Sequence, residues 1–240
     1  MVRPFIPSER TNEHRFFSLL ALAILAVAVV GFMRTYLLVP MIGQPKGELP
    51  FTTLVHFHAV ISFGWCVIFV IQTRLIAAGK FRQHMKLGAV GVLLYFALVL
   101  TGPFVAVKSA ARYGATPEDL AFLAVSTGNI LAYTLLFGTA LHWRRSPAVH
   151  KRLMTLGMVA MLTAPFGRLL SLPYELGHVV GPGLVVVALA WWDVKSRGQL
   201  HPITVYGGSA ILLWELLPNV YMHSAWWLNA ATWAVRIMGD

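Results

Sequence analysis

The stretch LVHFHAVISFGWCVIFVIQTRLIA, residues 54–77, is a nearly unbroken apolar run that carries two imidazoles, His56 and His58, near its start. Crossing about 30 Å of hydrocarbon takes about 20 apolar residues in an α-helix. This run is long enough, and it lacks the strict alternation of a barrel strand, the other way to satisfy backbone groups in lipid.

Applied outward along the chain, the same rule marks seven spans, at 16–38, 51–77, 87–107, 120–143, 148–170, 176–192 and 203–217. The whole sequence agrees: of 240 residues 58% are hydrophobic and 12% charged, with a mean hydropathy of +0.69. A soluble domain carries about twice that share of charge. The expected fold class is all-α, an integral membrane helical bundle of about seven transmembrane helices forming one domain over residues 1–240.

Basic residues set the expected orientation. Arg3, Arg10 and Arg15 precede the first span; Lys80, Arg82 and Lys86, then Arg144, Arg145, Lys151 and Arg152, then Lys195 and Arg197 fall in alternate loops. The intervening loops hold Lys46, Lys108 and Arg112. The N-terminus is therefore expected in the cytoplasm of a bacterium, the protein in its inner membrane, and the C-terminus outside.

The formal net charge of +10 is accounted for by loops that meet anionic lipid head groups. Its scatter over short loops argues against nucleic acid as a partner. The first apolar segment is too long for the core of a signal peptide and has no small-x-small cleavage site, so it reads as a retained helix. Cys66 is the sole cysteine, which excludes an intramolecular disulfide. The last twenty residues, with Trp226, Trp227 and Trp233, suit a helix lying at the outer interface.

A weak internal duplication runs through the middle of the chain. His84 and His150 each lie eleven residues after a Thr-x-Leu threonine, Thr73 and Thr139, and each enters a helix containing Leu-Thr-(Gly/Ala)-Pro-Phe, at 100–104 and 162–166. The distance from His to Pro differs by four residues, about one helical turn. Ser146-Pro147 is a good helix start, with Ser as N-cap and Pro at the first helical position.

In register, the spans send polar groups to one layer in the outer leaflet: Arg34, His56, His58, Arg168, Glu175, His178 and Glu215. Ionisable side chains cost roughly 2.5 to 3.5 kcal/mol each in a helix centre, so they face the bundle interior and mark function. His56 and His58 are about 200° apart on a regular helix, so one faces inward while the other bonds a neighbour. His58, which shares a face with Ser62 and Trp65, is the inward candidate. His178 lies four residues before Pro182, which cannot donate to its carbonyl, so a kink is expected in the sixth span. A second layer gathers at the cytoplasmic side: Arg74, His84, His142, His150, Asp193 and His201.

No nucleotide-binding glycine motif, serine-hydrolase elbow, Cys-x-x-Cys or zinc-protease motif occurs. The last span has no lysine for a retinal Schiff base. Together His56-x-His58, HMKLG at His84, HKRLM at His150 and WDVKSRGQLHPITVYGG at 192–208 resemble a family of uncharacterised bacterial multi-pass membrane proteins, which implies the topology and no activity. A looser likeness, in layout alone, is to di-haem membrane cytochromes of the b561 kind, although helix-spaced histidine pairs on facing spans are not all present.

Three functions follow as expectations. The preferred one is a membrane redox or electron-transfer protein holding haem b through His56 or His58 and His178, with Arg34 and Arg168 near the propionates and a membrane redox partner. The second is a non-haem copper, zinc or iron site of His56, His58 and His178 with Glu215 or Glu175. The third is a cofactor-free transporter or accessory subunit, since transporters place polar sites at interrupted helices. No catalytic residue is assigned.

Overall fold

The computed structural model describes residues 7–44, 49–170 and 174–239, with side chains at all of these except 7–10, 170 and 174–178. Among the described residues every regular element is helical. Helix α1 (Pro7–Phe32) continues through a π-helical turn (Met33–Leu37) into the short α2 (Val39–Ile42). Then come α3 (Thr53–Ala77), α4 (Phe81–Arg112), α5 (Pro117–His142), α6 (Pro147–Ala160), α7 (Thr163–Leu170) and α8 (Tyr174–Arg197). A second π-helical turn (Ile203–Gly207) leads into α9 (Gly208–Tyr221), and α10 (Ala225–Met238) closes the described chain.

Local chemistry fixes several of these ends. Thr52 caps α3 by accepting the Val55 N–H. Thr116 and Asp119 form a reciprocal capping box at the start of α5. Pro147 does stand at the start of α6, but the Ser146 side chain makes no capping bond. The α4–α5 turn uses Gly114 at φ +98° followed by Ala115 at φ +50°, a left-handed pair that allows the tight reversal.

Among the described residues five helices are long and apolar enough to cross a membrane: Thr11–Ile42, Thr53–Ala77, Phe81–Arg112, Pro117–His142 and Val179–Arg197. The other two expected spans take a different form. The segment at 148–170 is broken between α6 and α7, where Met161 N–H bonds the Met158 carbonyl and Leu162 N–H that of Val159. Pro165 has no N–H to offer the Met161 carbonyl, which removes the next rung. The segment at 203–217 is a π turn followed by the 14-residue α9. Helix α8 runs unbroken through Pro182.

Packing pairs link α1 to α3, α3 to α4, α4 to α5, α5 to α9, α9 to α8 and α8 back to α1. They form a ring. Helix α6 packs against α5, α8 and α9, and α7 against α1 and α8. Nearly every α6 side chain from Arg152 to Ala160 is buried, as expected for a helix surrounded by others. The core includes Trp65, Tyr95, Tyr133 and Phe137, with the Tyr95 and Phe137 rings stacked 4.4 Å apart. Leu93, Leu100, Val187 and Leu213 point outward, an apolar surface suited to lipid.

Helix α10 covers the ends of α4 and α5, burying Ala231 with Val107, Ala110, Leu120 and Leu123. Trp227 Nε1–H donates to the Leu120 carbonyl at 3.0 Å while Trp226 and Trp233 stay exposed.

Candidate functional site

In both copies of Leu-Thr-(Gly/Ala)-Pro-Phe the threonine hydroxyl meets an ionisable side chain from a distant part of the chain. Thr101 Oγ1 donates to the Ala97 carbonyl at 2.7 Å and stands 2.9 Å from His58 Nδ1. Its single proton is spent on Ala97, so His58 Nδ1–H is the donor and Nε2 keeps its lone pair. Gly102 makes room for Ile130: a Cβ there would lie 2.8 Å from Ile130 Cδ1 but at an ordinary 3.9 Å from His58 Cε1. In the second copy Thr163 Oγ1 donates to Glu215 Oε2 at 3.3 Å.

Glu215 is 1% exposed. Its Oε1 is buried with no hydrogen-bond partner. The group sits on α9, beside the break between α6 and α7. Pro218, three residues on, removes the donor for the Trp214 carbonyl, while Trp214 Nε1–H bonds the Gly128 carbonyl of α5 at 2.8 Å.

The remaining candidates of the first expected layer are separate from these pairs. His56 is exposed and shares a 2.8 Å hydrogen bond with the Tyr36 hydroxyl. Arg34 is exposed in the π-helical turn. Arg168 is exposed, donates to the Ala164 carbonyl at 3.0 Å and lies over the Phe32 ring at 4.9 Å. Glu175 and His178 belong to the first turns of α8, but their side chains lie outside the described residues. No three His, Cys, Asp or Glu side chains gather as a metal site among the described residues.

At the opposite end the candidates of the second expected layer divide. Arg152, absent from the expected site, makes a buried ion pair with Asp193. Asp193 Oδ2 also accepts the His201 N–H at 3.1 Å and the Thr204 hydroxyl at 2.5 Å, and Arg152 Nη1 donates to the Ala148 carbonyl. All four carboxylate contacts and the guanidinium are thus engaged, which joins α6, α8 and the π turn before α9. His201 Nδ1 accepts the Ile203 N–H at 3.1 Å. Burial, then the nearby guanidinium groups of Arg152 and Arg197, pull its pKa down to about 4.

His84 and His150 lie at the starts of α4 and α6. His150 Nδ1–H donates to the Ala140 carbonyl at 2.8 Å, and Gln72 Nε2–H donates to the His84 carbonyl at 3.1 Å. His142 is exposed and meets the edge of the Trp143 ring. Arg74 borders a groove of about 430 Å³ with His14, Arg15 and Ser18.

No protein-family model, curated protein or solved structure matches this chain.

Proposed function

We propose that the chain is a seven-span protein of a bacterial inner membrane with its N-terminus in the cytoplasm, and that it moves protons across the bilayer, alone or coupled to a solute. The observation that carries this reading is Glu215 Oε1, buried and unpartnered beside a broken helix. A carboxylate shielded from water with one hydrogen bond needs a cation to share its charge. A proton needs only one oxygen, whereas a metal ion asks for several donors, and no group of three His, Cys, Asp or Glu gathers at Glu215 among the described residues. Broken helices beside buried polar groups are where membrane transporters bind their coupling ions. The alternate loading of basic residues at the two ends of the bundle supports the orientation.

The test is voltage-driven proton entry into proteoliposomes, followed with a trapped pH dye. Flux should be lost in Glu215→Gln and retained, more slowly, in Glu215→Asp. Equal flux in the wild type and Glu215→Gln overturns the reading.

A second reading, electron transfer through haem b, is favoured by His58. Its Nδ1–H is fixed by Thr101, the arrangement that leaves Nε2 free for an axial bond to iron. Haem would supply one-electron chemistry; His58 would hold it and Thr101 would orient the ring. Protein purified from haem-supplied cells should then show a Soret band that shifts with dithionite and is lost in His58→Ala. A colourless protein removes this reading and leaves the first untouched.

A further inference from the structure

The groove between α1 and α3 gathers hydrogen-bond donors, and no carboxylate lines it. Thr11, His14, Arg15, Ser18 and Leu19 border it from α1, at the i, i+3, i+4, i+7 and i+8 spacing that puts them on one helix face. Arg74, in the last turn of α3, and Ala77 border it from the other side, and the two helices pack together. Arg15 and Arg74 are both exposed, and neither belongs to an ion pair among the described residues. Glu13, the acid next to His14 in sequence, is engaged by Lys151 of α6 instead.

Ser18 shows that the groove is short of an acceptor. Mid-helix hydroxyls elsewhere in the chain donate to the carbonyl four residues back: Ser62 to His58, Thr134 to Ile130, Thr139 to Leu135 and Ser196 to Trp192. The Ser18 hydroxyl makes no such bond to His14. It is buried with no hydrogen-bond partner, on a residue only 5% exposed. A buried donor left unpaired is costly. An oxyanion in the groove would supply the missing acceptor and would share the charge of two guanidinium groups.

We propose that this groove binds one phosphate group, with Arg15 and Arg74 on its non-bridging oxygens and with His14 and Ser18 as further donors. Guanidinium forks match the geometry of phosphate, and a groove of about 430 Å³ is within the range of small-molecule sites. The phosphate can arrive free in solution or as the head group of an anionic phospholipid. Leu19, 65% exposed, lies about one helical turn further into the first span than Arg15. The acyl chains of a bound lipid would therefore find apolar surface directly beyond the phosphate. Unlike the diffuse attraction of basic loops for head groups, this is one group per chain held by named side chains. None of them lies on α7 or α9, so the site is independent of Glu215.

The experiment uses the full-length protein, delipidated in a nonionic detergent, titrated separately with phosphatidylglycerol, phosphatidylcholine and inorganic phosphate, and followed by native mass spectrometry. The expected result is one phosphate-bearing adduct per chain, with apparent affinity at least fivefold weaker in Arg15→Gln and in Arg74→Gln. Arg82→Gln and Arg144→Gln, at exposed arginines outside the groove, should bind as the wild type does. Ser18→Ala should weaken binding while leaving the thermal midpoint of the adduct-free protein unchanged or higher, a combination that misfolding cannot imitate. Preference for phosphatidylglycerol over the other two assigns the phosphate to an anionic lipid; preference for inorganic phosphate assigns it to a soluble ion. No adduct with any of the three overturns the proposal, as does an affinity unchanged in both groove variants or lowered equally in the Arg82 and Arg144 variants. Glu215→Gln should retain the adduct whichever way the proton experiment falls.

Discussion

The guanidinium of Arg152 and the carboxylate of Asp193 face each other where water does not reach, with side-chain exposures of 1% and 0%. Removing one partner of such a pair strands the other, at a cost of about 3 to 5 kcal/mol. Arg152→Met should therefore lower the thermal midpoint of the detergent-solubilised protein sharply. Arg152→Met combined with Asp193→Asn should recover much of the loss, because the Asn side-chain oxygen can still accept from His201 and Thr204. A double variant no more stable than Arg152→Met would show that the charge pair is not what holds α6 to α8.

His201 gives the same region a pH dependence. Its pKa falls from 6.5 to about 4 on folding, so the unfolded chain takes up the proton first as pH drops. Stability from this residue is complete above about 6.5 and is lost progressively toward 4. His201→Asn keeps an acceptor for the Ile203 N–H and does not titrate. Unfolding midpoints measured across that range should decline less steeply in His201→Asn than in the wild type; parallel curves would assign the acid sensitivity to other groups.

How much of this was legible beforehand depends on the kind of interaction. The long apolar runs identify α1, α3, α4, α5 and α8 because hydrophobic length is a local property. The break at Met161 is not legible in the same way. Pro103 and Pro165 stand in nearly identical pentapeptides, yet α4 runs through its proline while α6 and α7 part before theirs. Packing of distant helices decides between the two outcomes. The duplicated pentapeptide was visible, but the partners of Thr101 and Thr163 were not, since His58 and Glu215 lie 43 and 52 residues away and their meeting depends on how each helix is rotated. Likewise Lys151 and Arg152 look alike as loop charges. Their directions differ by one residue's rotation, about 100°, which sends Lys151 to Glu13 and Arg152 to Asp193.

Close backbone approach at the broken helix makes a prediction about size. A Cβ at Gly31 of α1 would overlap the Pro165 carbonyl oxygen and lie 2.7 Å from Pro165 Cα. At Gly181 of α8 the obstacle is the Phe166 ring, with Cγ at 2.5 Å. Overpacking of this kind costs about 1 to 3 kcal/mol. Gly181→Ala should be rescued in part by Phe166→Leu, because a smaller side chain yields. Gly31→Ala has backbone against it and should not be rescued by substitutions at Phe166. Equal rescue of both, read as thermal midpoints, would mean that α7 moves freely between α1 and α8.

Orientation can be tested with little background from the native chain, since the one cysteine, Cys66, is 6% exposed inside α3. The antiparallel succession of α3, α4 and α5 puts Arg144 and Arg112 at opposite ends of the bundle. Cysteines introduced singly as Arg144→Cys and Arg112→Cys should therefore differ in labelling by a membrane-impermeant maleimide. With the N-terminus inside, Arg112→Cys reacts in intact spheroplasts and Arg144→Cys reacts only after lysis. The reverse pattern would invert the topology. Labelling of both in intact cells would remove α4 and α5 as a membrane-crossing hairpin, and with it the seven-span reading.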